Sequence, residues 1–425
     1  MIRKSILCAM AACVIGTTAA FAGDITEPVT FTKDILPILQ ENCQNCHRPS
    51  GANLSGMVAP MSFMDYRDTR PWAKAIAKAV QTRDMPPWLA TEATHDVFRN
   101  ERVLTEDEIA LVTQWAKTGA KRGNPGDAPA PVEWKDAEGW TIGEPDLIID
   151  FPEPFFVEDD VQDLYQNISI ELTKEMLPED RYIKAIQYKP TSEVVHHIIG
   201  YSTPPGTTGR DQGGDGIGRQ QLGGMAPGTD PNMLPTGFGI LLKEGSTITM
   251  QLHYHKEAGP GTGAWDSSQM ALVFHDEEVT HPITIEPISY GPFEIPPHQD
   301  SWRVGARKTF ENPIIMTSLM PHMHLRGTAA KYVAHYPDGT KEVLLDVPEY
   351  DFNWQTDYFY KEPKRLPAGT SIEVEMHFDN SEDRAAFTNI NPGRSVRFGG
   401  PTTDEMDLMW MTYSEEEDNG EEAGD

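Results

Sequence analysis

The pattern of apolar and polar positions changes period once along the chain. Between residues 29 and 122, apolar side chains recur at three- and four-residue spacing, clearest in Trp72–Gln81 and Glu106–Thr118. That spacing predicts helices. Thr105 followed by Glu108 forms a capping box in front of Ile109, Leu111, Val112 and Trp115 and sets the start of the last helix. The stretch KRGNPGDAPAPVEW, dense in Pro, Gly and charge, reads as part of a linker over 123–142. From 143 to 413 the period falls to two, in DLIIDF, YIKAIQY, STITMQLHYH, KYVAHY and SIEVEMHF, with Pro and Gly turns between the runs. Such runs predict short strands packed as β-sandwiches. The stretch is long for one sandwich, so it is divided into 143–282 and 283–413. The Gly-rich segment from Pro204 to Pro235 reads as a long surface loop, and 414–425 as an acidic disordered tail. The expected fold is therefore multidomain, a small all-α domain followed by two all-β sandwich domains.

The chain has 425 residues, with 65 Asp and Glu against 35 Lys and Arg, a net charge of −30. So acidic a surface repels phosphate backbones and anionic headgroups, which excludes nucleic acid as a partner and favours a small molecule or a basic protein. The first residues, MIRK, precede a small-residue apolar stretch from Ser5 to Ala22 ending in AAFA. This is the pattern of a cleaved signal peptide over 1–22 and predicts a periplasmic or secreted protein with no membrane insertion. Cleavage would remove Cys8 and Cys13 and leave only Cys43 and Cys46, so no disulfide framework is expected.

Those two cysteines stand in Cys43-Gln44-Asn45-Cys46-His47. A C-x-x-C-H run can form thioethers to both haem vinyl groups and place His47 beneath the iron as proximal ligand. The alternatives are a redox pair or a zinc site, and a zinc site would need further Cys or His ligands nearby, where none follow closely. Met57, Met61, Met64 and Met85 could each be the distal ligand; Met85 is preferred because it opens the stiff loop DMPPW. With the haem motif near its start and LTEDEIALVTQWAKTGA at its end, this part resembles a class I cytochrome c. That resemblance implies one covalent haem c and an electron-carrying role.

Histidines cluster three times beyond this region: His196-His197 in an apolar run, His253 and His255 in QLHYH, and His322 and His324 in LMPHMHLRG. Neighbouring residues on a regular strand face opposite ways, so His196 and His197 can share a metal only if the strand bends or the rings use different nitrogens. With no thiolate available, imidazole and thioether donors point to type-2 copper, and all-histidine zinc is the alternative.

The order H-H, Q-x-H-Y, H-x-H and GGPTTDEM, spread over roughly 143–413, resembles the copper type II monooxygenases, the family of peptidylglycine α-hydroxylating and dopamine β-monooxygenases. The resemblance implies two jelly-roll-like sandwiches, each carrying one copper, facing each other across a solvent cleft. Carried over by motif, His196, His197 and His253 would hold an electron-transfer copper. His322, His324 and Met406 would hold the catalytic copper that binds dioxygen. The activity implied is O₂-dependent hydroxylation of a C–H bond of a small organic substrate. Electrons would come through the haem from an external donor, either a carrier protein or an ascorbate-like reductant. A haem–copper electron-transfer or copper-handling protein without catalysis is the alternative. Met320 and Trp410 stand where the peptide enzyme has an Arg and a Tyr, which argues against a peptide C-terminus as substrate. His255 and His377 are further candidates for places beside the metal sites, and His275 and His335 read as surface residues.

Overall fold

The computed structural model describes residues 28–49, 59–134, 139–207, 219–226, 229–388 and 390–416. The leader read over 1–22, Met57 and most of the acidic tail lie outside these residues. The fold is mostly β-sheet with a few short helices. No helix among the described residues is long and apolar enough to cross a membrane.

The helices gather at the N-terminal end around a core of their own, in which Ile35, Leu39, Ile76, Val80, Val112 and Trp115 are buried. Ala73–Gln81 and Glu106–Lys117 form where the period of 3.6 predicts them. The capping box is present in both directions: the Thr105 hydroxyl accepts from the Glu108 backbone N–H, and the Glu108 carboxylate accepts from the Thr105 backbone N–H. These bonds satisfy amide groups that a helix start leaves without partners.

Two further cores lie between pairs of sheets. In the first, the sheet built from Asp163–Glu171, Thr247–His255, Val195–Thr203 and Gln220–Met225 packs on a sheet containing Leu147–Ile149, Gln269–Phe274, Arg181–Lys189 and Phe238–Leu242. Ile248, Met250, Leu252 and Tyr254 alternate into that core, as the period of two requires. In the second, Thr284–Ile288, Leu408–Glu415, Ile314–His322 and Tyr358–Leu366 face Trp302–Thr309, Ser371–Phe378, Gly327–His335 and Lys341–Val347. The chain crosses between the two sheet sets within a few residues. His281–Pro282 still pairs with the first, and Thr284 already pairs with Tyr413.

Two sequence expectations are corrected. The Gly-rich segment is not all loop, because Gln220–Met225 pairs antiparallel with Val195–Thr203. The acidic tail does not begin at Ser414: the strand runs on to Glu415, which pairs with Ile314, and Ser414 is buried. Charge patterning could not show either, because cross-strand pairing decided both.

The N-terminal part is docked on the second sandwich. Phe98 is fully buried in that sandwich's core, where its ring lies 5.1 Å from Tyr360 and 5.5 Å from Tyr358. The backbone of residues 91–99 bonds to the edges of both sheets: Thr91 donates to the Asp346 carbonyl of one, and on the other Arg99 donates to the Phe359 carbonyl and Lys361 to the Val97 carbonyl. The Asn100 side-chain amide donates to the Asp357 carbonyl and accepts from the Phe359 N–H.

Asp357, at this junction, has its carboxyl pushed up to about 6 by burial, against the weaker pull of Ser318 and Arg99. Its neutral form is favoured by folding. Its contribution is therefore whole below the ordinary carboxyl range and is lost as pH rises through 6. Asp357→Asn, neutral at every pH, should be more stable than the parent at pH 8 by about 2 kcal/mol and no more stable at pH 4. Denaturant unfolding at the two pH values checks this, and an equal difference at both would contradict it.

Candidate metal centre

The first histidine group is assembled by a defect in pairing. Val195 pairs with Tyr254 and His197 with His253, so His196 is the extra residue of a β-bulge. A bulge turns the strand locally and re-aims a side chain, and here it brings His196 to the side of the sheet that His197 occupies. The bend that adjacent histidines require is thus present. His197 Nδ1 lies 3.2 Å from His196 Nδ1 and 3.4 Å from His253 Nδ1. Two nitrogens each about 2.0 Å from one ion, at tetrahedral to trigonal angles, are about 3.3–3.5 Å apart. His196, His197 and His253 have ligand atoms that all lie within 4.8 Å of one another, so this His-rich group could bind a metal ion.

Its surroundings prepare it for one. The His253 ring stacks on Tyr165 at 4.3 Å, and its Nε2 donates to Asp163, whose other oxygen accepts from the Thr402 hydroxyl. Because a carboxylate can only accept, Nε2 carries the proton and Nδ1 is left with its lone pair. Burial lowers His196 to about 4 and holds His197 well below its ordinary value, with neighbouring histidines adding to the effect. At neutral pH both rings are uncharged, and no proton competes for their lone pairs.

His322 and His324 are brought together at the end of the strand Ile314–His322, their rings 5.2 Å apart and nearly perpendicular. His322 Nδ1 donates to Gln355 Oε1 at 2.7 Å, and His324 Nδ1 to the Asp404 carbonyl at 3.3 Å. Both Nε2 atoms therefore keep their lone pairs. Burial depresses the two rings to about 4 and about 3. Between them, Met323 points into the core, its N–H and carbonyl both bound to the Tyr350 hydroxyl. The Glu405 carboxyl accepts from the backbone N–H of His324 at 2.8 Å and of Arg326 at 2.6 Å. Met406 is the next residue, so the segment Asp404–Glu405 ties its stretch of chain to the histidine pair.

The two groups meet. Phe352 is buried between them, stacked on His196 at 5.5 Å and edge-on to His324 at 6.0 Å. A buried aromatic ring thus lies between the groups, where the resemblance implies a solvent cleft. His255 is exposed at the rim, its ring 6.3 Å from His196 and from His253, and with Asp163 and His253 it forms a second possible ligand trio. His377 belongs elsewhere, paired with Glu375 on its own strand opposite Arg303. His275 Nε2 donates to the Phe238 carbonyl, and the His335 ring lies 2.8 Å from the Glu373 carboxylate.

At the N-terminal end, Cys43 and Cys46 form no disulfide. His47 stacks on Phe63 at 4.2 Å and its Nδ1 donates to the Met61 carbonyl at 3.0 Å, which leaves Nε2 available. Burial, and then Cys46, push the Cys43 thiol up to about 12. A zinc site or a reactive thiol needs the thiolate, whereas a thioether carries no charge. Met85 is 45% exposed and lines a groove with Val80, Trp88, Arg102, Leu104 and Ile109. The sequence missed the loop Asp351–Thr356, which supplies Phe352 and Gln355 to the histidine groups. Nothing in its composition marks it.

No protein-family model matches the chain, and no curated protein matches it. Among solved structures it is similar to the VP2 subviral particle of infectious bursal disease virus, at 10% identity over 64% of this chain and 71% of that one, with a TM-score of 0.17. It is similar also to oxalate decarboxylase of Bacillus subtilis, at 8% identity over 68% and 86%, with a TM-score of 0.14. Likenesses this slight carry no argument about function.

Proposed function

We propose that the protein is an exported haem c and copper monooxygenase of the copper type II kind, which hydroxylates a C–H bond of a small organic substrate with O₂. The helical part would be a class I cytochrome c domain, and the two sandwiches would be the jelly-roll-like halves of the oxygenase. The observation that carries this reading is the convergence of three imidazoles, with His197 Nδ1 at the spacing of ligands to one ion from the Nδ1 atoms of His196 and His253, beside a second histidine pair with a different donor set. The donors fit copper: His196, His197 and His253 would hold one ion, and His322, His324 and Met406 the other, where a thioether favours the cuprous state. Copper supplies one-electron redox chemistry and dioxygen activation. Cys43, Cys46 and His47 fit a covalent haem c, which supplies a store for the incoming electron; Met85 is the proposed distal ligand.

The chain's own residues prepare the donors. Asp163 and Gln355 fix the tautomers and orientations of His253 and His322. Met320 and Trp410 pair across neighbouring strands and line a small cavity with Ser318 and Thr412. A carboxylate would find no cation among those four, so a neutral or cationic substrate fits better than a peptide C-terminus. The external electron donor is a carrier protein or an ascorbate-like reductant.

Closure on Phe352 favours a second reading, a haem–copper electron-transfer or copper-handling protein without catalysis. Metal analysis of haem-loaded, copper-reconstituted protein from an exporting host tests both. Two coppers per haem, falling to one in His322→Ala and in Met406→Ala, is the expected result. Little tightly held copper would overturn both readings. Two coppers with no O₂ consumption by the reduced protein, across a panel of neutral and cationic substrates, would leave the second.

A further inference from the structure

One loop touches both histidine groups and, through Arg102, the groove that holds Met85. In Asp351–Thr356, Gln355 Oε1 accepts a hydrogen bond from His322 Nδ1, and its own amide N–H donates to the Phe352 carbonyl at 2.9 Å. Phe352 stacks between His196 and His324. Trp354, between these two residues, turns the other way, and the Arg102 guanidinium lies over its ring at 5.4 Å. Arg102 also lines the groove that holds Met85, the proposed distal haem ligand, and it pairs with Asp230 at 3.1 Å. The Trp354 indole N–H is buried with no hydrogen-bond partner among the described residues. A buried donor left without a partner calls for an explanation, and an acidic group on a cofactor seated beside Arg102 would supply one.

We infer that Asp351–Thr356 is the electronic connection from the haem motif to the histidine groups, with Trp354 as its haem-side contact and Gln355 delivering to His322. This rests on the haem–copper reading above and departs from it in one respect. Electrons reach the His322/His324 centre directly, without first passing through His196, His197 and His253. Each event moves one electron and no proton: ferrous haem becomes ferric, and a cupric ion held by His322 becomes cuprous. A one-electron carrier protein restores the haem.

The geometry favours this route because it is short and covalent where it matters. Trp354 and Gln355 are consecutive residues, and the remaining step to His322 is a 2.7 Å hydrogen bond. The docked backbone of residues 91–99 holds the Arg102 side of the contact in place. Trp354 and Gln355 are thus positioning and conducting residues; neither holds a metal.

The test uses the full-length, haem-loaded protein reconstituted with copper. A flash-generated one-electron reductant reduces the haem, and re-oxidation is followed by haem absorbance and by freeze-quenched copper spin resonance. In Trp354→Leu the haem-to-copper rate should fall by an order of magnitude or more, and in Trp354→Phe by less. Haem absorbance, haem midpoint potential and copper stoichiometry should be unchanged in both variants. An unchanged rate in both variants, with haem and copper content intact, would overturn the inference while leaving the haem–copper reading standing. Absence of copper from the parent protein would instead overturn that reading, and this inference with it. In His253→Ala, the cupric signal of the remaining centre should still decay at the parent rate. Decay far slower than in the parent would place the entrance at the His196 group and refute delivery through Gln355.

Discussion

His253→Ala is expected to remove one of two coppers from the reconstituted protein and to leave the other. His253 is common to both ligand trios in the first sandwich, and it is nearly inaccessible to solvent. Its loss deletes a donor, and it also frees the Asp163 carboxylate from its imidazole partner. A hydrogen-bond partner outside the ligand shell commonly controls about 10–100-fold in metal affinity. Removing a ligand should therefore cost more than that. Copper counted after dialysis against a weak chelator reads the outcome, and two retained ions in the variant would contradict the assignment. Comparing His197→Ala with His255→Ala then separates the trios. If the three converging Nδ1 atoms are the ligands, only His197→Ala behaves like His253→Ala. Retention in His197→Ala with loss in His255→Ala would move the ion to Asp163, His253 and His255 at the exposed rim.

The second large effect concerns docking. Phe98→Ala should destabilise the second sandwich by about 3–5 kcal/mol, the range for deleting a buried aromatic ring. The segment that carries Phe98 has few other apolar anchors; Trp88, Leu89 and Ala90 only partly cover the same core. Loss of the ring should therefore also release the backbone bonds to Asp346, Phe359 and Lys361. Hydrogen exchange at Arg99 and Lys361 and the unfolding midpoint together check this. A change under about 1 kcal/mol would mean that residues 91–99 lie on the sandwich without being part of it. The parent protein then has little freedom to swing its helical part on the linker. The described linker residues are themselves tied down, Gln40 donating to the Ala130 carbonyl and the Thr141 N–H to Gln187.

Much of this molecule was written in local pattern. The helix of Glu106–Lys117, its cap, and the strands around Thr247–His255 and Ser371–Phe378 follow from side-chain periods of 3.6 and two, which need only neighbours in sequence. The histidine candidates were also legible as residue types in an odd setting, because adjacent histidines in an apolar run or an H-x-H pair are costly without a purpose; Met406 came from the resemblance of GGPTTDEM alone. The convergence of the ligands was not legible. Alternation assigns Thr249, Gln251, His253 and His255 to one outer face, yet Thr249 and His253 are buried while His255 is exposed. The second sandwich, reaching over with Thr402 and Phe352, covers only part of that face.

The bulge at His196 was likewise invisible, because it is a property of how Val195 and His197 pair with a strand more than fifty residues away. So were Gln355 and Phe352, whose contacts with the histidines come from a loop that tertiary packing places against them. The sequence by itself determined most of the elements and which side chains have the chemistry to hold a metal or a haem, since both depend on short-range period and residue type. Only the tertiary structure decided which of those side chains share a site and what lies between the sites. Those choices are made by contacts between residues far apart in sequence, and neither period nor motif spacing records them.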